Sequence, residues 1–523
     1  MKGKIILIVL WSGIASLSFA QQNYKLVHKD AFEEATSFLY EEDYYTALSI
    51  YLELYPLDTN YAEINYTIGL CYMNITGKND LAFPFLKKAV KGNVREAYFW
   101  LGRSYHIQTN FNEAIKYYKL YNDFENKEIL TGEVERYIKM SYTAKEMMKN
   151  QVQVEIVNLG ENINTKYTEY VPVVSGDQTE IYFTSRRPGS TGGLKDDYGQ
   201  LFEDIYLSKL VNGIWQKAVN VGPPLNTATH DAVVSLTSDG NEMVIYRTNE
   251  NLYGGDLYIS SNYAGSWTNP VKLTENINSA YQEASASISP DGKLMYISSN
   301  RPGGLGGKDI YRVRRLPDGQ WSIPENLGPS INTPYDEDAP FIQADGITLY
   351  FSSNGLNTMG GYDIFKTKFE NDELWSNPKN LGYPINTVKD DIYFVISPDG
   401  KTAYYSSDMP GGYGEQDLYK INILFDDERK AIFRGVAKEM GTNEPVKAKI
   451  TVIDLYTLKI HGIYNTNSEN GKFLMVLQPG RNYKLLVESK DYGDQTQIIE
   501  VEDNIKEMIF EYNLEIELRS SNK

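Results

Sequence analysis

Five acids recur at one fixed place in the middle of this chain. The Asn of each INT-like motif serves as zero: Asn164, Asn226, Asn278, Asn332 and Asn386. Position +5 is then Glu169, Asp231, Glu283, Glu337 and Asp391. Five carboxylates around one opening could hold a cation or a basic segment of a partner. Each could instead accept hydrogen bonds from a neighbouring repeat's backbone, the common use of a repeated acid, and this is the use expected here. Position +13 is Asp177, Asp239, Asp291, Asp345 and Asp399, followed by Gly in four copies. A D-[IL]-[YF] triplet follows, led by Asp204, Asp256, Asp309, Asp363 and Asp417. Four copies continue to Trp215, Trp267, Trp321 and Trp375.

Other reactive groups are sparse. The histidines (His28, His106, His230, His461) stand singly, so spacing offers neither a zinc cluster nor a Ser–His pair. No G-x-S-x-G elbow occurs. The glycine pairs before the triplets, such as Gly306-Gly307 and Gly360-Gly361, lack the helix and Gly-Lys-Ser/Thr of a phosphate loop and are turn residues. Arg187 and Arg301 match in position, but Asn249, Gly355 and Met409 replace them elsewhere, so no arginine ring is expected. The first copy carries extra residues around 192–204, the better candidate for a specific contact. The single cysteine, Cys71, has no basic neighbour to activate it and forms no intrachain disulfide; a buried small hydrophobe is its expected role. No enzymatic activity, cofactor or metal is expected.

A period of roughly fifty residues argues for a repeat architecture. Each copy reads as an antiparallel meander. In Ala284–Ser299 an Asp-Gly turn joins two strands, since Gly takes positive φ freely and Asp bonds its own turn. Four short strands per copy are the grammar of a propeller blade, and radial closure leaves few unpaired edges. The array opens with an orphan fourth strand, Val152–Val157, and ends at Asp417–Phe425 without a fourth. The first is therefore expected to complete the last blade. Five blades are inferred, with six as the alternative.

Lys2 and Lys4, an apolar run from Ile5, and Ser18-Phe19-Ala20 make residues 1–20 a secretory signal peptide. No cysteine stands near the cleavage site for a lipid anchor, and no later stretch is long enough to span a membrane. Without the two leader lysines, 49 basic residues face 69 acidic ones, a formal charge of −20. Such a chain repels phosphate backbones, so nucleic acid is an unexpected partner. The 42 tyrosines suit protein recognition.

Residues 21–150 resemble tetratricopeptide repeats. Leu101-Gly102, Tyr105, Ala114 and Tyr118 fall on that family's packing positions, as do Ile68-Gly69, Tyr72, Ala82 and Leu86. Ala47 and Tyr51 mark a degenerate first copy, and a last helix is expected over about 132–149. Residues 151–426, with wording such as Ser289–Tyr311, resemble WD40-like propeller repeats of the TolB type. Residues 427–515 are similar to carboxypeptidase regulatory-like domains of transthyretin-type β-sandwich fold, through Gly435, Pro445-Val446, Asn470-Gly471 and Tyr483, with 516–523 as a tail.

In this order the modules look like Bacteroidetes-type envelope proteins, nearest the PorE-like periplasmic component associated with type nine secretion. The OmpA-like domain into which that family continues has no counterpart before Lys523, so peptidoglycan binding is not expected of these residues. The resemblance implies a non-enzymatic periplasmic scaffold joining envelope proteins, of the kind associated with secretion or gliding machinery, though not membrane-spanning. The alternative is a ligand-binding module capturing a glycan, peptide or cation at the propeller mouth.

Overall fold

The computed structural model describes residues 29–519, apart from 76, 197, 198, 250, 251, 253, 264, 371–373, 410, 425–429, 491 and 504–508. The expected leader lies outside the described residues. The chain divides into two compact units, one up to Glu146 and one from Met147. No helix among the described residues is long and apolar enough to cross a membrane.

The first unit is a helical, repeat-like region of seven α-helices: α1 (Lys29–Tyr40), α2 (Tyr44–Leu54), α3 (Ala62–Asn74), α4 (Phe83–Lys91), α5 (Glu96–Ile107), α6 (Phe111–Asn122) and α7 (Thr131–Lys149). Each starts and stops for local reasons. Asp43 caps α2 by accepting the Thr46 amide at 3.0 Å, and Gly92 ends α4. Packing within the pairs rests on the two glycines. A Cβ on Gly69 would stand 2.7 Å from Leu86, and one on Gly102 would stand 2.7 Å from the Tyr118 ring. Gly102→Ala therefore forces α5 away from α6 and is expected to cost about 1–3 kcal/mol by overpacking. A fall in the thermal midpoint followed at 222 nm checks it. Cys71 is fully buried in this core, and burial pushes its thiol up to about 12.

In the second unit, five antiparallel sheets stand among the described residues, consistent with a β-propeller. The innermost strands are Glu169–Val174, Asp231–Leu236, Ser285–Ile288, Glu337–Ile342 and Ile392–Ile396. Each touches the next in cyclic order, and the fifth touches the first. The fifth sheet takes its outer strand from the start of the array. Val154–Asn158 runs antiparallel to Asp417–Ile423, pairing Val154 with Ile423 and Asn158 with Tyr419. The expected clasp is thus present. Between blades, the repeat tryptophans pack edge-on against a tyrosine of the preceding sheet: Trp215 on Tyr404, Trp267 on Tyr182 and Trp375 on Tyr296.

Two C-terminal sheets enclose one apolar core. One orders Lys472–Leu477, Lys430–Glu439 and Ile509–Leu518, the last two parallel. The other orders Ile460–Asn465, Lys449–Asp454, Arg481–Ser489 and Tyr492–Val501. Ile516 and Leu518 are buried in this core, so the final strand continues past the boundary at 515 into residues expected to be tail.

Candidate functional site

The inner strands all begin at one mouth of the ring; Glu169, Asp231 and Glu337 are the first residues of theirs, and Glu283 and Asp391 stand two and one residues ahead of theirs. Their carboxylates are not offered to the opening. Glu169 accepts the Thr165 amide and hydroxyl, both at 2.7 Å, and the Ser185 hydroxyl at 2.7 Å. Glu337 repeats this with Thr333 and Ser353, and Glu283 with Ser279 and Ser299. Asp231 and Asp391 bond Thr227 and Thr387 in the same way. The donors belong to each acid's own loop and second strand, not to the neighbouring repeat's backbone expected from the sequence. All five are buried. Among the described residues no group of three or more His, Cys, Asp or Glu side chains is placed to hold a metal ion.

Three of the five acids meet an arginine. Arg187 lies 3.1 Å from Glu169 and Arg301 3.2 Å from Glu283, while Arg247 donates Nε to Asp231 at 2.6 Å. Arg247 stands two residues before Asn249, the position matched in the sequence, because the shorter Asp needs its partner earlier on the strand. Among the described residues no arginine is paired with Glu337 or Asp391. Burial raises the pKa of both, and Asp391 is pushed well above the carboxylate range, with Asp363 adding to the effect.

The Asn anchors, bare markers in the sequence, carry the ring's assembly. Each amide side chain closes a two-bond clamp on the third strand of the preceding blade, at the residue after the triplet Asp. Asn226 grips Ile205, Asn278 grips Leu257, Asn332 grips Ile310 and Asn386 grips Ile364. Asn164 grips Leu418, joining first blade to last at 2.8 and 2.9 Å. The triplet acids are structural too. Asp309 and Asp363 accept backbone amides of the glycine-rich turns, as do Asp204 and Asp417. Asn158, Asn220, Asn326 and Asn380 donate to Asp417, Asp204, Asp309 and Asp363; in the odd blade, Lys272 reaches Asp256 at 2.7 Å.

A cavity of about 320 Å³ lies between the five inner strands. Its wall is strained: Val171, Ala339 and Tyr393 take positive φ (49°, 49° and 62°) beside breaks in strand register. For a β-branched residue such as Val171 this is a costly backbone state, of the kind found at functional sites. Toward the acid mouth the wall includes Tyr170 and Glu203. Glu203 comes from the first blade's extra segment. Arg186 donates Nε to it at 2.8 Å and also binds Gln200 and Asp196. His230 stacks on Phe202 at 4.0 Å, and its Nδ1 accepts the Glu203 amide. The His230 ring also lies 3.6 Å from the Glu203 carboxylate, so it and Arg186 both face that acid. Burial alone would raise Glu203, but His230 and Arg186 beside it hold the carboxyl down to about 2.

Because that pKa is depressed, the pair contributes stability above the ordinary carboxylate range, and the contribution is lost as pH falls toward 2. Glu203→Gln is expected to cost about 1–3 kcal/mol at pH 7 and to shrink the difference between the proteins at pH 3. Urea titrations at both pH values check it. A Ser–His contact among the described residues, His106 to Ser141 at 2.8 Å, is fully buried in the helical unit, where the serine also donates to the Tyr137 carbonyl.

At the opposite mouth sit the Asp-Gly turns. Gln178 replaces the glycine of the first copy and takes the same left-handed φ, 59° against 69–73° in Gly240, Gly292, Gly346 and Gly400. The C-terminal sheets seat on these turns. Asn467 donates to the Asp239 carbonyl at 2.7 Å, Asn241 to the Thr466 carbonyl at 3.0 Å and Asn465 to the Pro290 carbonyl at 3.3 Å. Lys472 pairs with Asp177 and Arg434 with Asp399. Turns of four blades are therefore engaged by the sandwich. Sequence reading could not reach this seat, since its hydrogen-bonded partners lie 175 or more residues apart.

No protein-family model matches the chain, and no curated protein matches it. Among solved structures, an α-L-arabinofuranosidase from Lactobacillus brevis is 14% identical, with 52% of this chain and 95% of that one covered and a TM-score of 0.34. A Penicillium chrysogenum α-L-arabinanase complexed with arabinobiose is 12% identical over 62% and 98%, with a TM-score of 0.33. The β-propeller domain of the Trilobed protease from Pyrococcus furiosus is 8% identical over 65% and 84%, with a TM-score of 0.25. These distant propeller likenesses carry no argument about what this chain does.

Proposed function

We propose that this chain is a non-enzymatic periplasmic scaffold of the cell envelope, of the kind associated with type nine secretion or gliding. In this reading the helical unit is a tetratricopeptide-like module, the ring a five-bladed WD40-like propeller, and the C-terminal sheets a carboxypeptidase regulatory-like sandwich. The observation that carries it is the surface of the helical unit. Tyr40, Leu130, Leu57 and Tyr142 are 85, 76, 57 and 53% exposed, large apolar side chains of the type a protein partner covers. The ring supports the reading as a stiff hub, since its repeated polar groups are spent on holding it closed. Crosslinking in cells followed by purification of the full chain tests it. Defined envelope proteins are expected with the unaltered chain and not with Leu130→Glu/Tyr142→Glu at unchanged melting temperature. Undiminished recovery with that variant removes the helical unit from the interface.

A second reading, ligand capture at the propeller mouth, is favoured by the strained wall of the central cavity. Calorimetric titration with calcium and with short basic peptides tests it. Heat that disappears in Glu203→Gln supports capture, and no heat with either dismisses it.

A further inference from the structure

The four repeat tryptophans occupy one position of one motif, yet the fold uses one of them differently. Trp215, Trp321 and Trp375 are buried, whereas Trp267 is left half-buried. Its indole lines a cleft of about 740 Å³ between the first two blades and the C-terminal sandwich. That volume falls within the range of small-molecule sites, roughly 300–1,000 Å³. Tyr182 stands behind the indole at 6.2 Å and nearly perpendicular to it, which holds the ring in place.

The cleft carries more acid than base, with Asp177, Glu180, Asp239, Glu469 and Glu515 against Lys209, Arg434 and Lys472. Its cations each face a carboxylate already: Lys209 lies 2.7 Å from Glu180, Lys472 3.1 Å from Asp177 and Arg434 3.6 Å from Asp399. An anionic ligand would meet this surplus of carboxylates and would have to break one of these pairs, at a cost the new contact must exceed. A neutral ligand rich in hydroxyls would not. It would share the paired groups as hydrogen-bond partners, together with Asn262 and Asn470 at the rim. A half-exposed indole beside paired acids, lysines and amides fits the apolar face of a sugar ring and its hydroxyl edge.

We infer that the cleft between the propeller and the C-terminal sandwich is a binding site for a neutral oligosaccharide, with Trp267 as its stacking platform. The cleft adjoins the central cavity, sharing Ser175, Gly176, Leu236 and Ser238 with it, and the inference stands independently of the scaffold reading.

The test is calorimetry and tryptophan fluorescence of the full chain with the tetramers of N-acetylglucosamine, xylose and glucose, and with tetragalacturonate as the charged counterpart. At least one neutral tetramer is expected to bind with a change in fluorescence, and tetragalacturonate at least ten-fold more weakly. Trp267→Ala is expected to weaken binding ten-fold or more. Should that variant not fold, Trp267→Phe decides: it keeps a ring, so heat is retained within about three-fold while the fluorescence change disappears. Absence of binding by all neutral tetramers at millimolar concentration overturns the inference. So does equal affinity for tetragalacturonate, or a full fluorescence change in Trp267→Phe.

Discussion

Asn164→Ala is expected to lower the stability of the ring by about 2–4 kcal/mol, the largest effect of any single polar truncation argued from this structure. The side chain is 1% exposed and makes three bonds: two to the Leu418 backbone and one to Asn158. Alanine leaves the Leu418 amide buried and unpaired, at about 1–3 kcal/mol, and takes one of two donors from its carbonyl, which keeps the Leu159 amide at 3.1 Å. No water reaches in cheaply, because Ile163 and Leu418 close the site on both sides. The position also matters topologically. Asn164 bonds the first blade to the last, next to the strand 154–158 that completes the fifth sheet. Equilibrium unfolding in urea checks the magnitude. A loss below 1 kcal/mol would mean that the strand pairing alone closes the ring and that the clamp is incidental.

Asp391→Glu is expected to stabilise the protein by about 1–2 kcal/mol at pH 8. The repeat itself supplies the reason. Wherever position +5 is Glu, a serine sixteen residues later donates to it: Ser185 to Glu169, Ser299 to Glu283, Ser353 to Glu337. Where it is Asp231, Arg247 fills the distance instead. The fifth blade combines the short acid with the short donor, Asp391 with Ser407, and Asp391 Oδ1 is left buried without a partner. A longer carboxylate reaches the serine and satisfies the orphan. The same defect shapes the response to pH. Burial holds Asp391 far above the carboxylate range, and burial also lifts Asp363 to about 7 against the three hydrogen bonds it accepts. A raised folded pKa gives stability that is complete below the unfolded value near 4 and lost as pH rises through the folded one. The melting temperature is therefore expected to be higher at pH 5 than at pH 8, and Asp391→Glu should narrow that gap. A gap unchanged by the substitution would place its origin at Asp363 alone.

Much of this architecture is legible in the chain because its causes are local. An Asp followed by a residue able to take positive φ makes a tight turn wherever it occurs, so the fifty-residue period maps onto sheets almost directly. The unmatched ends of the array required that 154–158 complete the last sheet, since an unpaired edge strand is unstable in water. Gly69 and Gly102, placed against Leu86 and Tyr118, likewise mark where helices must touch. Other features were decided only by the tertiary structure, because each depends on groups far apart in sequence. Asn164 finds Leu418 across 254 residues. Arg247 finds Asp231 through a length compensation that a fixed-offset alignment misses. Asn467 finds the second blade, and Trp267 is left beside a cleft because the sandwich seats where it does. Spacing along a chain specifies turns and periods; which polar groups are finally satisfied depends on what the closed ring brings within 3 Å.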